Sequence, residues 1–164
     1  MSAAPEVVTR AEQPYVVIRT RVTMADLGGL AARFAEVFAW LGARGVPPAG
    51  PPFFRYNVID MARELEVDAG VPITAALDGA GHIVGGVLPS GRYATLTYVG
   101  HPAGLSEATK ALLDWAARQD LNWDMTPRDG GERWGSRLEI YLTDPGQEPD
   151  MSKWATQLAF RLAD

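Results

Sequence analysis

Several residue types are absent or scarce in the sequence, and each absence excludes a class of site. The chain has no cysteine, which excludes disulfide frameworks, thiolate zinc sites and cysteine nucleophiles. Its only two histidines are His82 and His101, and neither has a second histidine or a carboxylate at ligand spacing on the same predicted element. We therefore expect no metal site.

Long apolar runs and cofactor motifs are absent too. The amino terminus has no apolar core of signal-peptide length, and no run of 18 apolar residues occurs, so we expect a cytoplasmic protein without membrane contact. Residues 79–85 (GAGHIVG) miss the dinucleotide-binding spacing because Val84 occupies the third glycine position. No phosphate-binding loop is present, and Ser90 and Ser136 lack the G-x-S-x-G context of a nucleophile elbow. We expect no cofactor.

The overall composition is that of an ordinary globular domain. Of the 164 residues, 47% are hydrophobic and 21% are charged, which are typical values. The net charge of −5 argues against direct binding of nucleic acid, because phosphate contacts need a basic surface. A single domain over residues 1–164 fits this length.

The pattern of apolar residues predicts the same order of elements twice. In the first half we predict strands at residues 6–10, 15–22, 53–60 and 63–69. A helix that begins with a capping box at 23–26 is predicted to end at Gly42 and Gly45. In the second half the predicted strands are 82–88, 92–99, 134–143 and 154–162, with a helix at 102–120. The proline-rich residues 46–52 and residues 122–131 are predicted loops.

Three landmarks recur in the same order in the two halves, namely Tyr15 and Tyr93, Trp40 and Trp115, and Asp60 and Asp144. We interpret the chain as a duplicated α+β unit, with repeat one over about 6–72 and repeat two over about 82–163, that forms an antiparallel sheet with two main helices. The alternative is two unrelated segments that share a common order of elements.

Five phrases of the sequence resemble one family when they are taken in order. They are residues 50–56 (GPPFFRY), 64–67 with 70–72 (ELEV, GVP), 88–96 (LPSGRYATL), 115–116 (WA) and 139–145 (EIYLTDP). They are similar to the GyrI-like, or bacterial effector-binding, domain, the drug-binding module of AraC-type and MerR-type multidrug regulators. The resemblance implies two β-α-β-β units, related by a pseudo-two-fold axis, with a ligand cleft between them. It also implies a stand-alone member without direct DNA binding, since only a short tail precedes Val7.

Glu139 is the sharpest candidate for a functional residue. Alternation along its strand places Arg137, Glu139, Tyr141 and Thr143 on one face, and on the other Leu138, Ile140 and Leu142, which we expect to pack on the helices. On the pattern alone, a glutamate on a strand is more often solvated. The resemblance implies instead that a glutamate here sits at the floor of the pocket and attracts cationic ligands.

Aromatic side chains are the other candidates, because flat rings offer apolar contact and their faces favour cations. Tyr56 and Tyr141 are the first candidates to face a ligand. A second group consists of Tyr93, Tyr98, Trp123, Trp134 and Trp154. His101 is expected to be a turn residue that could lean over the cleft mouth, and Arg55 aligns with Glu139 between the repeats.

Three functions stay open at this point. A binding module would capture amphipathic, aromatic, cationic small molecules, with Glu139 selecting their charge. A cofactor-independent hydrolase would open the strained cyclopropane rings of DNA-alkylating natural products, as the resemblance implies for some stand-alone members, with Glu139 positioning a water. An interaction module would protect a protein partner. We favour the binding module because the sequence has no nucleophile–base pair, metal-ligand set or cofactor motif.

Overall fold

The computed structural model describes residues 3–164 and has the predicted α+β fold. Two main helices, α1 (Arg33–Ala43) and α2 (Leu105–Arg118), pack on one curled antiparallel sheet. Its strands are β1 (Glu6–Arg10), β2 (Gln13–Val22), β3 (Phe53–Ile59), β4 (Leu65–Pro72), β5 (Ile83–Leu88), β6 (Gly91–Val99), β7 (Met125–Arg128), β8 (Gly131–Trp134), β9 (Arg137–Tyr141) and β10 (Ala155–Arg161). No helix within residues 3–164 is long and apolar enough to cross a membrane.

The strand order shows how the two halves meet. It runs β1-β6-β10-β9-β3-β4-β2-β5, with β7 and β8 forming a hairpin that joins β3 through β8. The order is symmetric about the β9–β3 pair, because β2, β4 and β3 on one side correspond to β6, β10 and β9 on the other. The halves also exchange a strand, since β1 precedes β2 but pairs with β6, while β5 precedes β6 but pairs with β2. Both halves therefore contribute to one continuous sheet.

The helices cover one face of this sheet. Val37 and Leu41 of α1 pack against Val16 of β2, and Leu112 of α2 packs against Leu96 of β6. Because each helix lies over the outer strands of its own half, the central strands β3 and β9 lie between the two helices.

The opposite face of the sheet closes on itself without any helix. Its core consists of Tyr15, Val17, Phe53, Leu88, Tyr93, Leu138, Ile140 and Ala159. The prediction that Leu138, Ile140 and Leu142 pack on the helices is therefore wrong, since the first two belong to this helix-free core and Leu142 is 46% exposed. Curling of the sheet buries its helix-free face, so both faces of β9 carry apolar neighbours, and alternation alone does not say which face the helices cover.

The first predicted helix differs from expectation at its start. Residues Met24–Ala32 form a 3-10 helix, and the α-helix begins only at Arg33. Gly28 and Gly29 lie in the middle of the 3-10 segment, and glycine is a poor α-helix former. The capping box does not form, because the Thr23 hydroxyl donates to the Asp26 carboxylate at 3.2 Å and caps no backbone N–H.

The predicted loop at residues 122–131 contains strand β7 and the turn of the β7–β8 hairpin. Its strand character is hard to see in the sequence, because Pro127 and Arg128 interrupt any apolar alternation. Gly130 adopts a positive φ of 81° at the turn, a conformation that glycine takes without strain. This hairpin extends the sheet beyond the end of β3.

Candidate functional site

Strand β9 places Glu139 at the centre of the helix-covered face. Glu139 lies opposite Phe54 of β3 and opposite Leu158 of β10. Strand alternation turns Glu139 and Tyr141 to the same side, and Tyr141 contacts Phe34 of α1 there. The carboxylate thus lies where the two halves of the sheet join.

Two tyrosine hydroxyls hold one oxygen of the Glu139 carboxylate. The Tyr56 hydroxyl donates to Oε1 at 3.0 Å, and the Tyr141 hydroxyl donates to the same atom at 2.6 Å. The other oxygen, Oε2, has no hydrogen-bond partner within residues 3–164 and is not among the fully buried unpaired atoms. One side of the carboxylate is therefore fixed, and the other side can still accept a partner.

The surroundings of the carboxylate change its acidity. Burial raises the pKa of Glu139, although hydrogen bonds from Tyr141 and Tyr56 and the charge of Arg137 act in the opposite direction. Burial, and then the charge of Glu139, also raise the pKa values of Tyr56 and Tyr141 well above the ordinary tyrosine value. The two tyrosines are therefore neutral donors, while Glu139 gains a proton more readily than an exposed glutamate does.

Aromatic rings surround this carboxylate on the helix side. The Phe34 ring stacks on Phe54 with centroids 5.1 Å apart, and Tyr141 meets Phe54 edge-on at 5.3 Å. Tyr56 meets the same ring edge-on at 6.4 Å. Leu27 and Leu30 of the 3-10 helix pack on this cluster. These rings place apolar contact area next to a negative charge, an arrangement that suits an aromatic cation.

A positive charge lies on the same face as Glu139. Arg137 precedes Glu139 by two residues on β9, and its guanidinium carbon lies 4.4 Å from the ring centroid of Phe160 and 4.7 Å from that of Trp134. Trp123 extends this ring cluster, with its centroid 5.6 Å from that of Trp134. Burial lowers the pKa of Arg137, against the opposing charges of Glu132 and Glu139, but an arginine remains protonated in a protein.

The sequence-predicted residues divide into those that meet at Glu139 and those that do not. Tyr56 and Tyr141 bind the carboxylate directly, and Trp123 and Trp134 belong to the neighbouring cluster around Arg137. Two residues of this site, Phe34 and Phe54, were not selected from the sequence. Phe34 has a helical spacing that indicates ordinary core packing, so only its contacts reveal its position.

The remaining predicted residues are engaged elsewhere. Tyr93 faces the helix-free side, where its hydroxyl donates to the Pro89 carbonyl at 2.7 Å. The Tyr98 hydroxyl donates to the His101 carbonyl at 2.8 Å, and Trp154 Nε1 donates to the Glu148 carbonyl at 2.8 Å. His101 Nδ1 accepts from the Ala103 N–H at 3.0 Å, a capping contact that agrees with its predicted turn position.

Arg55 points away from Glu139. Its guanidinium donates to the Tyr15 hydroxyl and to the Gly135 carbonyl, both at 2.8 Å, on the helix-free side of β3. Arg55 and Glu139, which align between the repeats in the sequence, therefore lie on opposite faces of the sheet. Phe54, the cross-strand partner of Glu139, lies on the same face as the carboxylate. A slip of one position exchanges the two faces of a strand.

Two cavities lie away from the carboxylate. One of about 500 Å³ is lined by charged side chains between β4 and the β7–β8 hairpin. Another of about 250 Å³ lies on the helix-free face beside Pro51. Glu139 lines neither of these two cavities. In the described part of the chain, no three His, Asp or Glu side chains are placed to hold a metal ion.

Comparison with protein families identifies this architecture. A model of the GyrI-like small molecule binding domain matches residues 3–163. The chain belongs to the GyrI-like family. A GyrI-like domain is a small-molecule binding domain, which agrees with the predicted small-molecule partner. A search of curated protein sequences gave no significant match.

Solved structures share the fold at low sequence identity. The EcmrR C-terminal domain is 17% identical, with 98% of each chain covered and a TM-score of 0.77. In the EcmrR–DNA complex, the match covers 98% of this chain but 57% of the EcmrR chain, with 16% identity and a TM-score of 0.77. SAV2435 bound to tetraphenylphosphonium is 10% identical over 98% of this chain and 94% of that chain, with a TM-score of 0.65. A hydrolase from Listeria innocua is 12% identical over 97% of this chain and 91% of that chain, with a TM-score of 0.61.

Proposed function

We propose that this GyrI-like domain binds an aromatic, positively charged small molecule against Glu139, between α1 and α2. The observation that carries the proposal is the half-paired carboxylate, whose Oε1 is held by Tyr56 and Tyr141 while Oε2 stays available. The ring of Phe54 would contact the aromatic part of the ligand once the Phe34 ring has moved aside.

The electrostatics of the site favour a cation. Two opposite charges about 4 Å apart attract each other by about 4 kcal/mol at an effective dielectric constant near 20, before the cost of removing them from water. Each well-oriented ring pair adds about 0.5–1.5 kcal/mol. A ligand that combines one positive charge with several rings would gain from both terms. Its entry requires Phe34 to move, since that ring covers Phe54 beside the carboxylate.

A fold relative supports the type of ligand. SAV2435 was solved with tetraphenylphosphonium, which is a cation surrounded by four phenyl rings. In this chain, the corresponding proposal rests on Glu139 and its aromatic neighbours alone, because the two proteins share 10% identity.

Two ions of nearly the same shape and opposite charge test the proposal. We expect calorimetry to show that the wild type binds tetraphenylphosphonium at least tenfold more tightly than tetraphenylborate, and that Glu139→Gln removes this preference. Glu107→Gln changes an exposed carboxylate on α2 and serves as the matched control, with unchanged affinities expected. Equal affinity of the wild type for both ions, or no effect of Glu139→Gln, would contradict the proposal.

Hydrolysis is the second candidate. A carboxylate with a raised pKa and a free oxygen is suited to take a proton from water, and the Listeria innocua relative is described as a hydrolase. In this reaction the water oxygen bonds to a cyclopropane carbon as the strained C–C bond breaks. The released electron pair moves to a conjugated carbonyl, which is then protonated.

Mass spectrometry of a cyclopropane-containing alkylator incubated with the wild type and with Glu139→Gln would detect the product, and binding without turnover would eliminate this candidate.

A further inference from the structure

The guanidinium of Arg137 lies next to two aromatic rings but has no polar side-chain partner. Its carbon lies 4.7 Å from the Trp134 ring centroid and 4.4 Å from the Phe160 ring centroid. No side-chain N–H group of Arg137 has a hydrogen-bond or ion-pair partner within residues 3–164, and none of its nitrogens is among the fully buried unpaired atoms. Five donors therefore remain available on a side chain that packs against two aromatic rings.

Other arginines of the protein are used differently. Arg19 donates to both carboxylate oxygens of Asp68 at 2.8 and 3.1 Å, and Arg161 pairs with Asp124 at 2.9 Å. Arg55 donates to a hydroxyl and a carbonyl. A guanidinium that is packed against aromatic rings and has no polar partner is preorganised for contact with a carboxylate or another acceptor, because little side-chain entropy is lost when it binds.

Arg137 and Glu139 present opposite free charges on one face of β9. Residues two apart on a strand are separated by about 7 Å along it. The two side chains form no ion pair with each other in the described part of the chain. The other acidic group near Arg137 is Glu132, which accepts a hydrogen bond from Trp134 Nε1 at 3.1 Å. Each of the two charges can therefore bind a different end of one ligand.

We propose that Arg137 is the second polar anchor of the Glu139 site, and that the ligand class is an aromatic zwitterion, or a cation that carries a carboxylate or similar acceptor at the other end of its aromatic ring. This inference rests on the proposed function and makes it more specific. The positive end binds the free oxygen of Glu139, the acceptor end binds the guanidinium edge of Arg137, and the ring between them lies on the aromatic face.

Three probes built on one aromatic frame separate the two anchors. Benzyltrimethylammonium carries only the cation, 4-methylbenzoate carries only the carboxylate, and 4-(trimethylammoniomethyl)benzoate carries both. Titrations followed by NMR should show the wild type binding the zwitterion at least fivefold more tightly than the plain cation. Arg137→Met should lower the affinity for the zwitterion at least tenfold without lowering the affinity for the cation. Glu139→Gln should lower the affinities for both the zwitterion and the cation and leave the affinity for the carboxylate probe unchanged.

Two further variants control for charge and for folding. Arg137→Lys keeps the positive charge but lacks the planar guanidinium. It should therefore lower the affinity for the zwitterion about threefold or more and leave the affinity for the cation unchanged. Arg133→Met removes an exposed arginine from β8 and should change none of the three affinities. If Arg137→Met does not fold, as thermal unfolding would show, Arg137→Lys supplies the decisive comparison.

The outcomes distinguish this inference from the proposed function. If Arg137→Met, or Arg137→Lys in its place, leaves the zwitterion affinity at the wild-type value or changes the zwitterion and the cation by the same factor, Arg137 is no anchor and the inference fails. If Glu139→Gln has no effect on the cation while Arg137→Met abolishes binding of 4-methylbenzoate, the proposed cation site fails and the anion-binding role of Arg137 stands.

Discussion

Glu139 and Phe54 lie directly opposite each other on the two central strands, and each comes from a different half of the chain. The two tyrosines on the carboxylate follow the same division, since Tyr56 belongs to β3 and Tyr141 to β9. The negative charge, its hydrogen-bond donors and its aromatic neighbours are therefore assembled only when both halves join in one sheet.

The affinity for a cation should depend on pH through Glu139. Because burial raises the pKa of this carboxyl, protonation removes its charge at a higher pH than for an exposed glutamate. We expect the affinity for tetraphenylphosphonium to fall as the pH is lowered from about 8 to about 5. Calorimetry across this range measures the effect, and Glu139→Gln should give a flat profile. Parallel pH profiles for the two proteins would assign the dependence to another group.

The same shift predicts how stability changes with pH. A carboxyl whose folded-state pKa lies above its unfolded value of about 4.5 binds more protons in the folded state, so its favourable contribution is complete below that value and is lost as the pH rises through the raised pKa. Glu139→Gln should therefore gain stability relative to the wild type between about pH 5 and pH 7. Thermal unfolding of both proteins checks the sign, and a relative loss over this interval would contradict it.

Replacing Phe34 tests the ring that covers the site. Phe34→Ala removes the stack on Phe54 and the edge contact with Tyr141. Because Phe34 is only partly buried, we expect a loss of about 1–3 kcal/mol in the free energy of unfolding, below the usual cost for a fully buried phenylalanine. The affinity for tetraphenylphosphonium should rise, since no ring has to be displaced. Phe38→Ala, one turn further along α1 and 37% exposed, should cost less than Phe34→Ala in the same denaturant titration.

The ion pair between Arg19 and Asp68 should matter more than its exposure suggests. Asp68 is fully buried, so Arg19→Met leaves a carboxylate without its two guanidinium hydrogen bonds. We expect a loss of about 1–3 kcal/mol in the free energy of unfolding, reduced from the cost of a fully buried pair because the Arg19 side chain is 47% exposed. Arg33→Met breaks an equally short pair with Glu36 in which both side chains are exposed, and it should cost under about 0.5 kcal/mol. Similar losses for the two variants would refute this account.

The order of elements could be predicted because each element has a strong local pattern. Residues 15–22 are rich in β-branched residues, and the prolines at 47–52 exclude regular structure. The β7–β8 hairpin could not be found in this way, since Pro127 and the surrounding charges remove its alternation. The 3-10 start of the first helix was missed because its apolar spacing continues through Gly28 and Gly29.

The candidate site was predictable in part. Alternation places Arg137, Glu139 and Tyr141 on one face, and the structure agrees. It does not say that this face meets α1, because that depends on how the sheet curls. The contact of Arg137 with Phe160 depends on the pairing of β9 with β10, 23 residues apart in sequence, and no local pattern encodes that register.

The exchange of β1 and β5 between the halves limits how the protein can be divided. A fragment that ends near residue 80 would keep β1 but lose β6, the strand with which β1 pairs, and its β2 would lose β5. Each fragment alone would expose unpaired backbone edges that the other normally occupies. A single proteolytic cut at the Ala80–Gly81 turn should therefore leave two pieces that remain associated until they are denatured.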